Sequence, residues 1–273
     1  MPRLRLICSF DRLHEHKRAH NGTSKRKIGM AKDPRVSAVD GFTATQHKSV
    51  PPSLDPADVT LPDLFTVCII GASTGIGEHI AYAYAKARAT RIVLASRNVQ
   101  DLRPVAERIR KINSEAQVDV AACNVTDATS VASLANMVRE NCEWLDCLVF
   151  NAGYAGPVTV KMDQGSPEWV QMAFDVNAMG TYLAAHYFVP LLLSSPNGTK
   201  GFVAIGSVAG CLRRGPIANT GYTVSKMAQI RLVEYLNEQF GGDGLVSVAV
   251  HPGAVKTRMA EGNTPEEFLP CEC

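Results

Sequence analysis

From Leu64 onward the chain alternates short, nearly uninterrupted apolar runs with longer amphipathic segments, and no other feature restricts its fold as strongly. The apolar runs span 65–70, 91–95, 118–123, 146–150, 201–206 and 245–250, each of strand length. Between them, Leu102, Val105, Ile109 and Ile112 fall on one helical face, as do Val131, Leu134 and Val138. Ser166 followed by Pro167 reads as an N-cap with proline at the first helical position, opening a long helix. Strands with so few polar positions need cover on both faces. The pattern therefore predicts an α/β fold: a doubly wound parallel sheet in a single domain, with six strands. Sheets of this kind bind ligands beyond the carboxyl ends of their strands, so the chemistry is expected there.

Residues 1–62 lack a sustained period. Charged clusters at 14–18 and 25–27 give way to Pro51, Pro52, Pro56 and Pro62, and the segment reads as a basic, mostly disordered extension. The expected organisation is this extension, a catalytic domain over 63–257, and a short irregular tail over 258–273. The net charge of +2 conceals an asymmetry: residues 1–40 hold ten Lys/Arg against four Asp/Glu, leaving 18 against 22 for the rest. A mildly acidic domain is a poor partner for nucleic acid, and none is expected, a tether of the basic tail to nucleic acid or an anionic membrane being the lesser alternative. No apolar run reaches the 18 or so residues of a membrane span, the longest stretch (183–193) being interrupted by His186 and Pro190. No membrane span is expected. The N-terminus lacks the continuous apolar core of a secretory signal. Eight cysteines form no C-x-x-C pair, and several fall in predicted strands, as buried free thiols do. The expected location is cytoplasmic, with a mitochondrial presequence as the alternative; the sequons at Asn21, Asn124 and Asn197 then carry no glycan. No metal site is read, and Cys271-Glu272-Cys273 is too short to make one.

Directly after the first predicted strand stands Gly71-Ala72-Ser73-Thr74-Gly75-Ile76-Gly77, leading into a helical pattern. Gly71 allows a tight turn out of the strand, Gly75 lets backbone approach a pyrophosphate, and Gly77 lets the helix pack closely. The free N–H groups at the helix start then face the anion. The second strand ends Leu94-Ala95-Ser96-Arg97, about 20 residues on, where an acid would hold the ribose 2′-hydroxyl of NAD. No acid is there. Ser96 and Arg97 instead suit a 2′-phosphate through charge-assisted hydrogen bonds, which favours NADP(H) over NAD(H).

Tyr222 and Lys226 lie four apart in a helical segment, so both side chains share one face. Ser207 closes the fifth predicted strand and reaches the same crevice. With the glycine turn, the Asn151-Ala152-Gly153 triplet after strand four, Asn177 in the next helix, and Pro252-Gly253 after strand six, the chain resembles the short-chain dehydrogenase/reductase family over about 190 residues, 64–257. That resemblance implies a Rossmann fold and a catalytic tetrad of Asn177, Ser207, Tyr222 and Lys226. A phenol of reference pKa near 10 needs help to act near neutrality; the Lys226 ammonium and an oxidised nicotinamide would both favour its phenolate. Tyr222 would then exchange a proton with the substrate oxygen, Ser207 would hydrogen-bond that oxygen, Lys226 would also hold the nicotinamide ribose, and Asn177 would anchor a relay water. By the same resemblance, cofactor contacts come from Gly71, Ser73, Thr74, Gly75, Ile76, Gly77, Ser96, Arg97, Asn124, Val125, Asn151, Ala152, Gly153, Tyr222, Lys226, Pro252, Gly253, Val255 and Thr257.

Some positions depart from the family pattern. Ile70 stands where Thr is usual, Phe150 replaces the first Asn of Asn-Asn-Ala-Gly, and Asn124 replaces an Asp that faces adenine. The interval from Ser207 to Tyr222 is about two residues longer than common, with Arg213 and Arg214 in the extra loop. Only residues 258–273 follow the Pro-Gly turn, where family members continue with a substrate-covering loop, helices and a seventh strand. The expectation is a sheet with its seventh strand missing and an uncovered apolar edge. Two functions follow: hydride transfer between NADP(H) and a carbonyl or secondary alcohol, or a catalytically impaired NADP-binding scaffold that captures a partner. A small-molecule substrate and a homodimer built on the helix bearing Tyr222 complete the expectations.

Overall fold

The computed structural model describes residues 52–157, 161–196, 198–211, 219–253, 255 and 257–261. Residues 1–51, Arg213, Arg214 and 262–273 lie outside the described residues, and with them most of the expected extension and tail. The part of 1–62 that is described carries two short 3₁₀ turns, Pro52–Leu54 and Pro56–Asp58.

Six strands, β1 (Thr66–Ile70), β2 (Arg91–Ser96), β3 (Gln117–Ala122), β4 (Cys147–Phe150), β5 (Gly201–Ile205) and β6 (Val246–Val250), form one sheet in the order β3-β2-β1-β4-β5-β6. All neighbours are parallel, with Ile70 opposite Ala95 on one side and Phe150 on the other. Helices α1 (Ile76–Lys86), α2 (Arg103–Ile112), α3 (Ala128–Asn141), α4 (Pro167–Ala173), α5 (Gly180–Ser194), α6 (Thr220–Phe240) and the short α7 (Arg258–Glu261) connect or follow them. The period-two alternation of β1 divides the core. Val67 and Ile69 pack with Ile92, Leu94, Val105 and Ile109 on one face, while Cys68 and Ile70 pack with Leu134, Phe150, Phe188 and Phe202 on the other. Each large side chain withdrawn from water in this way contributes about 1.5–3 kcal/mol.

The doubly wound parallel sheet is as predicted, but cover on both faces holds only for the inner strands. On edge strand β6 the outward residues Val246, Val248 and Val250 remain 55%, 41% and 41% exposed. An edge strand has a neighbour on one side only, and among the described residues no helix lies over that face of β6. The two apolar departures from the family pattern have a packing reason: Ile70 and Phe150 are fully buried, and the Phe150 ring sits against the position of Gly180. Among the described cysteines, Cys68, Cys123, Cys142 and Cys147 are unbridged and buried, and burial raises the Cys123 and Cys147 thiols to about 11.

The long helix expected after Ser166 is continuous over 167–194, but its register changes in the middle, where Phe174–Met179 forms a π-helical turn between α4 and α5. Ser166 makes no capping bond; its hydroxyl donates to Glu168 instead. By length and composition alone this helix is long and apolar enough to cross a membrane, a test that a buried core helix also passes. Half of that stretch is buried within the fold, where Asn177, Ala184, Phe188 and Leu192 belong to the protein interior.

Candidate active site

The strand order reverses direction between β1 and β4, so the chain leaves these neighbours toward opposite faces and opens a crevice at their carboxyl ends. The Gly71 and Ala72 N–H groups both donate to the Ala95 carbonyl, at 2.7 and 3.2 Å, and the Asn151 and Ala152 N–H groups donate to the Ile70 carbonyl, at 2.9 and 3.0 Å. Asn151 Nδ2 donates to the Gly71 carbonyl at 2.7 Å. Asn151 is thus a strut holding the two turns together, not only a residue lining the crevice.

The glycine turn is as tight as its spacing implies. A Cβ on Gly71 would stand 2.6 Å from the Ala152 nitrogen, and one on Gly77 would stand 2.1 Å from the Gly71 carbonyl oxygen. Either would force the turn open. Gly75 is the N-cap of α1, and its N–H donates to Glu78 Oε1 at 3.2 Å. Thr257, from the segment after Pro252-Gly253, is folded over this turn, its methyl 3.1 Å from where a Gly75 Cβ would lie. The predicted pyrophosphate and nicotinamide segments therefore meet.

At the end of β2, Arg97 is exposed and free of any carboxylate among the described residues. Ser96, expected to offer a donor, is buried and its hydroxyl donates to the Asn98 carbonyl at 2.8 Å. Asn124 is exposed and caps its own turn, Oδ1 accepting from the Thr126 N–H and hydroxyl at 3.3 and 3.0 Å. Val125 is a core residue packed against Gly180, which leaves only its backbone for a ligand.

The four predicted catalytic residues come together on the β4–β5 side of the crevice. Asn177 lies in the π-helical turn, wholly buried, where Oδ1 accepts from the Tyr154 N–H (2.9 Å) and Nδ2 donates to the Tyr154 carbonyl (2.8 Å) and Ser225 Oγ (2.9 Å). Such turns are frequent at functional sites because they free backbone groups from the helical ladder. The Ser225 hydroxyl in turn donates to the Tyr222 carbonyl at 2.9 Å. Lys226 is 4% exposed; Nζ donates to the Ile205 carbonyl at the end of β5 and to Gln229 Oε1, both at 2.8 Å. Its third hydrogen has room toward Gly153, whose Cβ position is 3.8 Å from Nζ. Ser207 Oγ accepts the Ala209 N–H at 3.2 Å beside the Tyr222 phenol.

The electrostatics differ from the expectation. Burial raises the Tyr222 pKa, hydrogen bonding with Ser207 opposing it in part, and Lys226 contributes nothing to lower it. The physical reason is that Nζ points at Ile205 and Gln229 and stands 5.9 Å from the centroid of the Tyr222 ring. Burial also lowers Lys226 to about 7, so its charge is only partial near neutral pH.

Several residues of the site were missed from sequence. Asn219 is the N-cap of α6: Oδ1 accepts the Tyr222 N–H at 2.8 Å, while Nδ2 donates to the Ala155 carbonyl and, at 2.9 Å, to that of Pro157. Asn immediately before a helical run is a capping signal and would have found it. Gln229 and Thr181 are also fully buried beside Lys226. A cavity of about 340 Å³, lined by Gly153, Tyr154, Ala155, Gly156, Pro157 and Met259, opens next to Lys226. A larger one of about 500 Å³ lies at the amino ends of the strands, near Arg88 and Glu115, and none of the four catalytic candidates lines it. Among the described residues there is no cluster of three metal-ligating side chains.

Residues 65–267 match the short chain dehydrogenase family, and the chain belongs to it. It is 38% identical to the short chain dehydrogenase pgmD of Aspergillus terreus over 233 residues, covering 82% of this chain and 74% of that protein. It is 32% identical to the short chain dehydrogenase andI of Emericella variicolor over 239 residues, 86% of this chain and 79% of that one. Among solved structures it is similar to a short chain dehydrogenase from Shigella flexneri 2a complexed with NADP, at 29% identity and a TM-score of 0.67, covering 74% of this chain and 82% of that chain. The protein is accordingly an oxidoreductase of the nicotinamide-dependent type, acting on a small molecule.

Proposed function

We propose that the protein interconverts a carbonyl group and a secondary alcohol with NADP(H), Tyr222 serving as the general acid or base. The observation that carries this reading is the convergence of Tyr222, Ser207, Lys226 and Asn177 beside the glycine turn, at the switch point of the sheet. The cradle of Gly71, Gly75 and Gly77, where added Cβ atoms would collide with the chain or Thr257, fits a backbone-held pyrophosphate. Ser73, Thr74 and Ile76 complete that loop. Preference for the 2′-phosphate rests on the exposed, unpaired Arg97 and on the missing carboxylate at the end of β2. The NADP complex of the Shigella flexneri relative supports it.

A reduced nicotinamide held there supplies the hydride, and its oxidised form accepts one. The raised pKa keeps the Tyr222 phenol protonated at neutral pH, the state suited to carbonyl reduction. Its proton passes to the substrate oxygen, and in alcohol oxidation it returns to the phenolate. Ser207 Oγ, beside the phenol, hydrogen-bonds the same oxygen as its charge changes. Lys226, anchored by Ile205 and Gln229, keeps one N–H for the ribose side of the crevice.

The test is the thermal unfolding midpoint with saturating NADPH or NADH, since a ligand that binds only the folded state raises it. NADPH is expected to raise the midpoint more than NADH. Equal shifts would remove the 2′-phosphate preference, and no shift with either would remove the cofactor site.

A further inference from the structure

Lys226 is joined to Asn177 by a chain of buried side chains. Nζ donates to Gln229 Oε1 (2.8 Å), Gln229 Nε2 donates to Thr181 Oγ1 (2.8 Å), and the Thr181 hydroxyl donates to the Asn177 carbonyl (2.7 Å). Gln229, Thr181 and Asn177 are wholly buried. Each link dictates the next. Because an amine with its hydrogens faces Oε1, the amide must present Nε2 to Thr181; because Thr181 then accepts, its single hydrogen is left for the Asn177 carbonyl. The reverse amide orientation would set an N–H donor against the ammonium, which has no lone pair to accept it. An uncharged Gln in this core is costly unless both its ends are paired, and both are.

We propose that Gln229 is a positioning residue for the acid–base site. With Thr181 it ties the Lys226 amine to the Asn177 carbonyl through side chains alone, fixing where Nζ points and favouring its ammonium form. This rests on Tyr222 and Lys226 acting as read above. The Gln229 carbonyl and the Ile205 carbonyl are then the groups that hold the charge on a lysine taken out of water. The opposing influence is burial. The elements packed against α6 carry the titratable groups Glu168, Asp175, Tyr182, His186, Tyr187, Cys211 and Asp243, and the loop after β4 carries Tyr154; none of these, nor Tyr222, shifts Lys226.

The test is the titration of Lys226 in the full chain without cofactor, followed by the NMR shift of its ε-carbon in protein labelled with [13C]lysine and assigned by its loss in Lys226→Met. Gln229→Leu is expected to lower the midpoint by about one pH unit, because a hydrogen bond to a charged group is lost. Gln229→Glu should raise it above that of the parent protein, and serves as the readout if the Leu variant fails to fold. A lower unfolding temperature with an unmoved midpoint in Gln229→Leu, or an unmoved midpoint in Gln229→Glu, would overturn the proposal, since packing alone would explain it. Turnover with a carbonyl substrate separates the two claims: if Tyr222→Phe turns over like the parent, the acid–base reading falls, whereas an unmoved Lys226 midpoint sinks the Gln229 link alone.

Discussion

Lys226 Nζ and the Tyr222 ring share one helical face at 5.9 Å, yet the amine spends two hydrogens elsewhere, on the Ile205 carbonyl and Gln229 Oε1. The lysine is therefore built into the end of β5 more than it is paired with the tyrosine. The two groups have opposite burdens. Burial holds the phenol neutral by keeping its proton, and holds the amine near neutrality by weakening its grip on one.

Lys226 should mark stability against pH. In the folded chain it titrates at about 7, whereas in the unfolded chain it keeps the ordinary lysine value near 10.4. Between about pH 7 and pH 9 the unfolded chain thus binds a proton the folded one has released, so this group makes stability rise with pH, by at most about 1.4 kcal/mol per unit. Above that window the buried thiols of Cys68, Cys123 and Cys147, all raised, act the other way. In denaturant unfolding, the parent protein should gain on Lys226→Met from pH 7 to pH 9. Parallel curves for the two would show that Lys226 is not desolvated.

Arg97 should decide the cofactor. Arg97→Ala is expected to reduce the NADPH-induced rise in midpoint to the level of NADH while leaving the NADH response in place, because on the proposed reading the guanidinium would meet only the extra phosphate. An undiminished NADPH response would assign that phosphate to another group.

Gly77 leaves no room for a side chain. Gly77→Ala puts a carbon 2.1 Å from the Gly71 carbonyl oxygen. The turn must shift, costing about 1–3 kcal/mol as overpacking does, and the midpoint should no longer respond to NADPH. Unchanged stability and response in this variant would mean that the turn is looser than its geometry.

Asn219 has two separable duties. Asn219→Ala loses the cap on the Tyr222 N–H, worth about 1 kcal/mol, together with the donors to the Ala155 and Pro157 carbonyls. Asn219→Ser keeps a capping oxygen and loses the donors. Denaturant unfolding should find Ser intermediate between the parent and Ala; equal losses in both variants would make the cap irrelevant.

What could be read from the sequence was mostly local. The apolar runs placed every strand to within a residue or so, because inner strands buried on both faces leave an unmistakable pattern. The glycine turn and the Tyr222–Lys226 spacing were legible for the same reason: each is a fixed offset along one element. The link from Lys226 to Asn177 was not, since Gln229 and Thr181 lie on two helices 48 residues apart, and only folding shows that they meet. The direction of the Tyr222 shift was also beyond reach. It depends on burial and on where Nζ points, and the spacing Tyr-x-x-x-Lys is silent on both. Ser166 shows the limit of capping rules: its hydroxyl donates to Glu168 and accepts no backbone N–H at the helix start.

The most direct test of the account is steady-state oxidation of NADPH by a panel of ketones and aldehydes, run on the parent protein and on Tyr222→Phe. Expected are turnover with at least one carbonyl, a loss of about 10²–10⁴-fold in kcat for the variant, and an unaltered rise in midpoint with NADPH. A variant that retains the parent's kcat on an accepted carbonyl would contradict it, because the proton would then reach the substrate oxygen from a group other than Tyr222.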